Sequence, residues 1–221
     1  MKRILVLLAL TGLIAGAVSA PAQAKKAKPV KTTLYFHGTQ PAGEAQLDEM
    51  WLNSNWMKMD STEPAAGAPK SMFVTNYMRG PNTDCNGNGL LPLWRGDITG
   101  SVKGDVTVTL NTVATPAVEL VASLYPDATG QCASDGSNPA LPAAEAPQPV
   151  SQVTVTPAPG PGVTEIVFKK VNFKATANMI VQFHVPNLST PGQVRILYDS
   201  ADYASNVSFS CTPASGKSCT P

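Results

Sequence analysis

The chain has 221 residues, of which 43% are hydrophobic and 14% charged, and its formal net charge is +1. A balance so close to neutral excludes a global field that draws nucleic acid or an anionic membrane. The length suffices for one well-cored domain burying about 70% of the surface its unfolded form exposes.

A basic start, Lys2 and Arg3, runs into an apolar stretch from Ile4 to Val18 and then small residues ending Ala22-Gln23-Ala24. That is the order of a secretory signal peptide. Thr11, Gly12 and Gly16 interrupt the stretch, which is too short for a retained helix of about 20 apolar residues. The expected organisation is a signal peptide over 1–24, a basic flexible leader over 25–31 (Lys25, Lys26, Lys28, Lys31), and a single β-sandwich domain over 32–221. Export without a membrane or lipid anchor follows, since no cysteine stands near the cleavage site.

Strand patterns dominate the rest. Thr32–His37, Met72–Tyr77 and Leu91–Ile98 are irregular candidates, whereas Val106, Val108 and Leu110 alternate strictly with Thr107, Thr109 and Asn111. Val118, Leu120, Ala122 and Leu124 repeat that period, and Val153–Thr156, Val163–Phe168, Met179–Val185, Val194–Tyr198 and Val207–Cys211 follow. Parity slips between Phe168 and Val171 across Lys169-Lys170, which predicts a bulge or break. Twenty prolines and 17 glycines punctuate these runs. The run 157–162, PAPGPG, reads as a connector that cannot continue a ladder, and 127–149 reads as one long loop. Gly43–Leu52 is the nearest approach to a helix. The fold class is therefore all-β, an antiparallel β-sandwich of jelly-roll type with long Pro/Gly-rich loops.

Four cysteines, Cys85, Cys132, Cys211 and Cys219, allow three pairings in an oxidising compartment. The short TPASGKS spacer lets Cys211 meet Cys219, and Cys85 and Cys132 both sit in Gly/Asn/Ser-rich stretches. The expected bonds are 85–132 and 211–219. No C-x-x-C or H-x3-H spacing offers a zinc site.

Several short segments carry a resemblance. Thr33-Leu-Tyr-Phe-His-Gly38, Met59-Asp60-Ser61-Thr62 with Pro64, Pro92-Leu-Trp94, and Leu197-Tyr198-Asp199-Ser200 together resemble the β-sandwich modules of secreted bacterial proteins. Those modules are jelly-roll or galactose-binding-like domains often appended to extracellular hydrolases. The resemblance spans most of the mature chain, implies the same architecture, and brings no invariant catalytic set with it.

Candidate chemistry is sparse. Asp84-Cys-Asn86-Gly-Asn88-Gly89 matches the opening of a Ca2+ loop, with Asp84, Asn86 and Asn88 as oxygen ligands, but position twelve is Arg95 where a bidentate Glu is required. A disulfide-pinned turn explains the same residues. Trp51 and Trp56 flank Asn53-Ser54-Asn55, a hairpin tip suited to stacking on a sugar while Asn53 and Asn55 fix its hydroxyls. Trp94 is a further platform candidate, against the alternative that tryptophans cap the core. Arg95-Gly96-Asp97 spells an integrin-binding tripeptide that arises readily by chance, and Asn187-Leu-Ser189 and Asn206-Val-Ser208 are glycosylation sequons. No G-x-S-x-G turn accompanies His37 or His184. Asp199 and Asp202 are the closest carboxylate pair, in a segment that also reads as a plain turn.

The sequence thus predicts a disulfide-braced binding or structural module that recognises a glycan or an extracellular protein. The alternatives are an extracellular hydrolase built around Asp199, Asp202 and His184, or an accessory module to a separate secreted hydrolase.

Overall fold

The computed structural model describes residues 27–38, 57–75, 93–126, 149–186, 192–214 and 218–221. The calls on 1–24, Trp51, Asn53, Asn55, Trp56, Asp84, Cys85, Asn86, Asn88, Cys132 and Asn187 lie outside these residues. The strands are β1 (Val30–Gly38), β2 (Met57–Asp60), β3 (Lys70–Thr75), β4 (Leu93–Asp97), β5 (Gly100–Ala114), β6 (Leu120–Pro126), β7 (Ser151–Val155), β8 (Gly160–Ala175), β9 (Asn178–His184), β10 (Gln193–Tyr198) and β11 (Asn206–Pro213). The predicted all-β class is the one found.

Hydrogen-bonded neighbours run β3-β10-β5-β11-β1-β2-β4-β9-β6-β7, with β8 on β5. All pairings between strands are antiparallel except β2 with β4. The sheet forks at β5, whose C-terminal part pairs with β10 and whose remainder pairs with β11. The two limbs fold over each other: β6 and β7 approach β8, and β3 approaches β9, without pairing. One apolar cluster lies between them, drawing Leu34 and Phe36 from β1, Val106, Val108 and Leu110 from β5, Ile166 and Phe168 from β8, and Phe183 from β9. These are the alternate positions of each strand, as a period of two requires.

Three local features depart from the sequence reading. β1 opens at Val30, because β11 offers Cys211 and Ser210 as partners to Val30 and Lys31. β8 begins inside the PAPGPG run, with Pro161 opposite Val113. β5 is the sole strand partner of β8 among the described residues, and an edge strand tolerates a missing N–H on its open side. β6 and β9 are buried along both faces rather than one, with Ser123 and Gln182 at 1% exposure.

The parity slip is a bulge. Gly104 faces Val171 and Val106 faces Phe168, so Asp105 stands against both Lys169 and Lys170. Lys170 takes φ +53°, and Asp105 accepts from Lys169 Nζ at 2.8 Å and from the Lys170 amide at 3.1 Å. That extra residue returns Val171 and Phe173 to the core side.

Cys211 and Cys219 form a disulfide with Cα atoms 6.3 Å apart, and both are buried. The Thr99 amide donates to Cys219 O at 2.8 Å, which seats the C-terminal segment beside the start of β5. Loop-closure entropy for so short a loop predicts that Cys219→Ser lowers stability by about 2 to 3 kcal/mol. Urea denaturation of the protein checks this, and a midpoint unchanged by the substitution contradicts it.

Candidate functional site

The main polar cluster of the described residues forms where β1, β2, β3 and β10 end or begin. Leu34 and Phe36 face the core, so alternation turns Tyr35 and His37 to the opposite side. There the β1–β2 ladder sets Tyr35 opposite Asp60 and His37 opposite Lys58. Lys70, the first residue of β3, pairs with Tyr198, the last of β10. Asp199 follows with φ +58°, a left-handed conformation that Asp tolerates better than most residues. This turns the chain into the short 3-10 turn Ala201–Tyr203.

Asp199 is bonded at both oxygens. Oδ1 lies 2.8 Å from His37 Nδ1, and Oδ2 accepts from Lys70 Nζ. The other ring nitrogen of His37, Nε2, donates to Thr62 O at 3.0 Å and lies 3.2 Å from Asp60 Oδ1. Asp60 also accepts from the Thr62 amide at 2.9 Å, and its Oδ2 stands 3.4 Å from Lys58 Nζ. Ser200 Oγ donates to Gly67 O at 2.7 Å and the Ala201 amide to Ala65 O at 3.0 Å. The exposed connection 61–69 is therefore tied to the turn after β10 at several points.

Burial works to raise the Asp199 carboxyl, but the bonds and charges of Lys70 and His37 outweigh it and hold it below the usual carboxylate range. Burial likewise opposes the Asp60 shift, and the Thr62 amide, His37 and Lys58 together carry it below that range. Burial, with the Asp199 charge in support, raises the Tyr198 hydroxyl. The sign for stability follows from Asp60. Its folded pKa lies under its unfolded one, so its contribution is present above about pH 4 and vanishes as pH falls through the folded value. Melting temperatures of wild type and Asp60→Asn should differ at pH 6 and converge as pH falls through the folded value. A gap that persists in acid contradicts this assignment.

Among the described residues, both ring nitrogens of His37 face oxygens of Asp199, Thr62 and Asp60 rather than a nucleophile. Among the described residues no hydroxyl bonds to His37; Ser200 and Ser205 donate to Gly67 O and Leu197 O. The predicted grouping of Asp199, Asp202 and His184 is not assembled. Asp199 is committed to His37 and Lys70, Asp202 is exposed in the turn, and His184 lies on β9 opposite Val121.

Trp94 is a core residue, not a platform. It is fully buried, stacked on Phe36 at 4.6 Å and edge-on to Tyr198 at 5.4 Å. The Arg95-Gly96-Asp97 tripeptide lies inside the ladder, between β2 and β9. Gly96 serves packing there, since a Cβ would come within 2.7 Å of Leu34 Cδ1. Asn206 of the second sequon lies in β11, its amide donating to Ala204 O at 2.8 Å.

Sequence reasoning named His37 and Asp199 separately but missed their pairing, and did not weigh Lys70. The available signal was positional: Tyr35–His37, Asp60–Thr62 and Tyr198–Ser200 each set polar residues at the end of an apolar run.

No family model and no curated protein matches the chain. Among solved structures, a CocE/NonD family hydrolase from Staphylococcus aureus is similar at a TM-score of 0.50 and 10% identity, over 83% of this chain and 37% of that one. An aminopeptidase from a marine sediment Thaumarchaeota archaeon gives 0.46 and 10%, over 82% and 37%. An α-amino acid ester hydrolase gives 0.44 and 13%, over 83% and 36%. The chain spans little more than a third of each, and the likeness is one of fold.

Proposed function

We propose that this chain is an exported, non-catalytic β-sandwich module whose ligand is a glycan or an extracellular protein. The carrying observation is the state of His37 and Asp199. Their ring nitrogens and carboxylate oxygens are engaged with Thr62, Asp60, Lys70 and each other, and among the described residues no nucleophile joins them. The signal-like start, the Cys211–Cys219 bond and the jelly-roll resemblance agree with a braced extracellular module. Trp51, Trp56, Asn53 and Asn55 are its proposed sugar contacts, and Asp84, Asn86 and Asn88 its proposed Ca2+ ligands.

The test is a glycan array run beside an ester, peptide and glycoside hydrolysis panel. Saturable glycan binding without turnover is expected, with affinity falling about tenfold or more in Trp51→Ala, as loss of an aromatic contact worth about 1–2 kcal/mol requires. A blank array together with turnover overturns the reading. One observation favours a second reading: the fold is shared with part of a much longer hydrolase. In that reading the module attends a separately encoded enzyme, and co-purification from culture supernatant distinguishes it.

A further inference from the structure

The pairing of Lys70 with Asp199 is built more firmly than a surface ion pair. Such pairs are ordinarily loose, because two mobile side chains must be held in one geometry. Here Asp199 is held from its far oxygen by His37 at 2.8 Å, and His37 is itself fixed by Thr62 O and Asp60. Its backbone is set by the left-handed turn and by the Ser200 and Ala201 bonds to Gly67 and Ala65. Lys70 is set by its ladder position opposite Tyr198. The Asp199 side chain is only 17% exposed. The arrangement sets Lys70 Nζ and His37 Nδ1 on the two oxygens of one carboxyl group.

We infer that Lys70 and Asp199 condense into an intramolecular isopeptide bond that welds β3 to the turn after β10. The Lys70 ammonium passes one proton to Asp199 Oδ2, and the freed amine lone pair attacks Cγ. The Nδ1–H of His37 holds the oxygen that gains charge in the tetrahedral centre. A second proton moves from nitrogen to the departing hydroxyl, the C–O bond breaks, and one water leaves. An ammonium and a carboxylate thus become a neutral amide and water, with no oxidant or cofactor. Condensation in water is unfavourable between separate molecules, but oriented intramolecular partners reach effective molarities of about 10⁵–10⁸ M. The weld acts at one end of the sheet, where among the described residues β3 has β10 as its only strand partner.

The experiment is the intact mass of the full exported protein after reduction and denaturation, with a tryptic map. The expected mass is one water below that of the reduced chain, and the map should hold a branched peptide joining Lys70 to Asp199, with no cleavage after Lys70. Lys70→Met should restore the full mass. A wild-type chain at full mass overturns the inference. So does a loss of water that survives in Lys70→Met, because that places it in a cyclised aspartate. Should Lys70→Met fail to fold, the wild-type map decides: the branched peptide upholds the bond and an unmodified Lys70 refutes it.

Discussion

Replacing Trp94 by alanine should cost about 3 to 5 kcal/mol, the range for emptying a large aromatic site that cannot collapse. At roughly 2 to 4 °C per kcal/mol for a domain of this size, the melting temperature should fall by about 6 to 20 °C. The ring stacks on Phe36 at an interplanar angle of 14° and meets Phe183 and Tyr198 edge-on, so its removal strips contacts from both limbs of the sheet. Trp94→Phe makes an informative partner. Among the described residues the indole Nε1 has no hydrogen-bond partner, so phenylalanine sheds an unsatisfied donor along with the volume. Its cost should be well under half that of alanine. Equal losses for the two variants, measured by thermal and urea unfolding, would show that the stack is not what the site contributes.

The second large effect concerns Gly100. This residue has φ +154°, and a Cβ there would lie 2.5 Å from Thr212 O, 2.8 Å from Cys211 Sγ and 2.9 Å from Cys219 Sγ. Neither a backbone oxygen nor a closed disulfide yields easily, so Gly100→Ala should destabilise by about 3 kcal/mol, the upper end of ordinary overpacking. A double-mutant cycle isolates the cause. With Cys219→Ser one of the two clashing sulfurs is gone and Cys211 Sγ is no longer tethered, so the two losses should sum to more than the double variant shows. Strict additivity would mean that backbone conformation alone carries the cost.

Much of this architecture was legible in the residues. The alternation at Val106–Asn111 reported a strand with one face in the core, and the parity slip at Lys169-Lys170 located the bulge opposite Asp105. The Cys211–Cys219 bond was readable because its separation of 8 residues is local. What escaped depends on contacts distant in sequence. β2 has only four residues, two of them charged, and exists because β1 and β4 flank it. Ser123 and Gln182 look like solvent-facing positions of half-buried strands, yet both are covered. The His37–Asp199 bond joins residues 162 positions apart, which periodicity cannot bring together. Trp94 was open between a sugar platform and a place in the core, and Arg95-Gly96-Asp97 read as a chance tripeptide; Trp94 and Gly96 are packing residues.

The bulge in β8 bears on whether this edge can accept a further strand. A 16-residue edge with regular alternation would be a template onto which another copy could zip its own backbone. Lys169 and Lys170 break that template midway, placing two cations and a misaligned amide where an incoming strand would need an uninterrupted row of partners. Pro161 removes a donor nearer its start. The residue insertion that restores inward parity thus also guards against fibre growth.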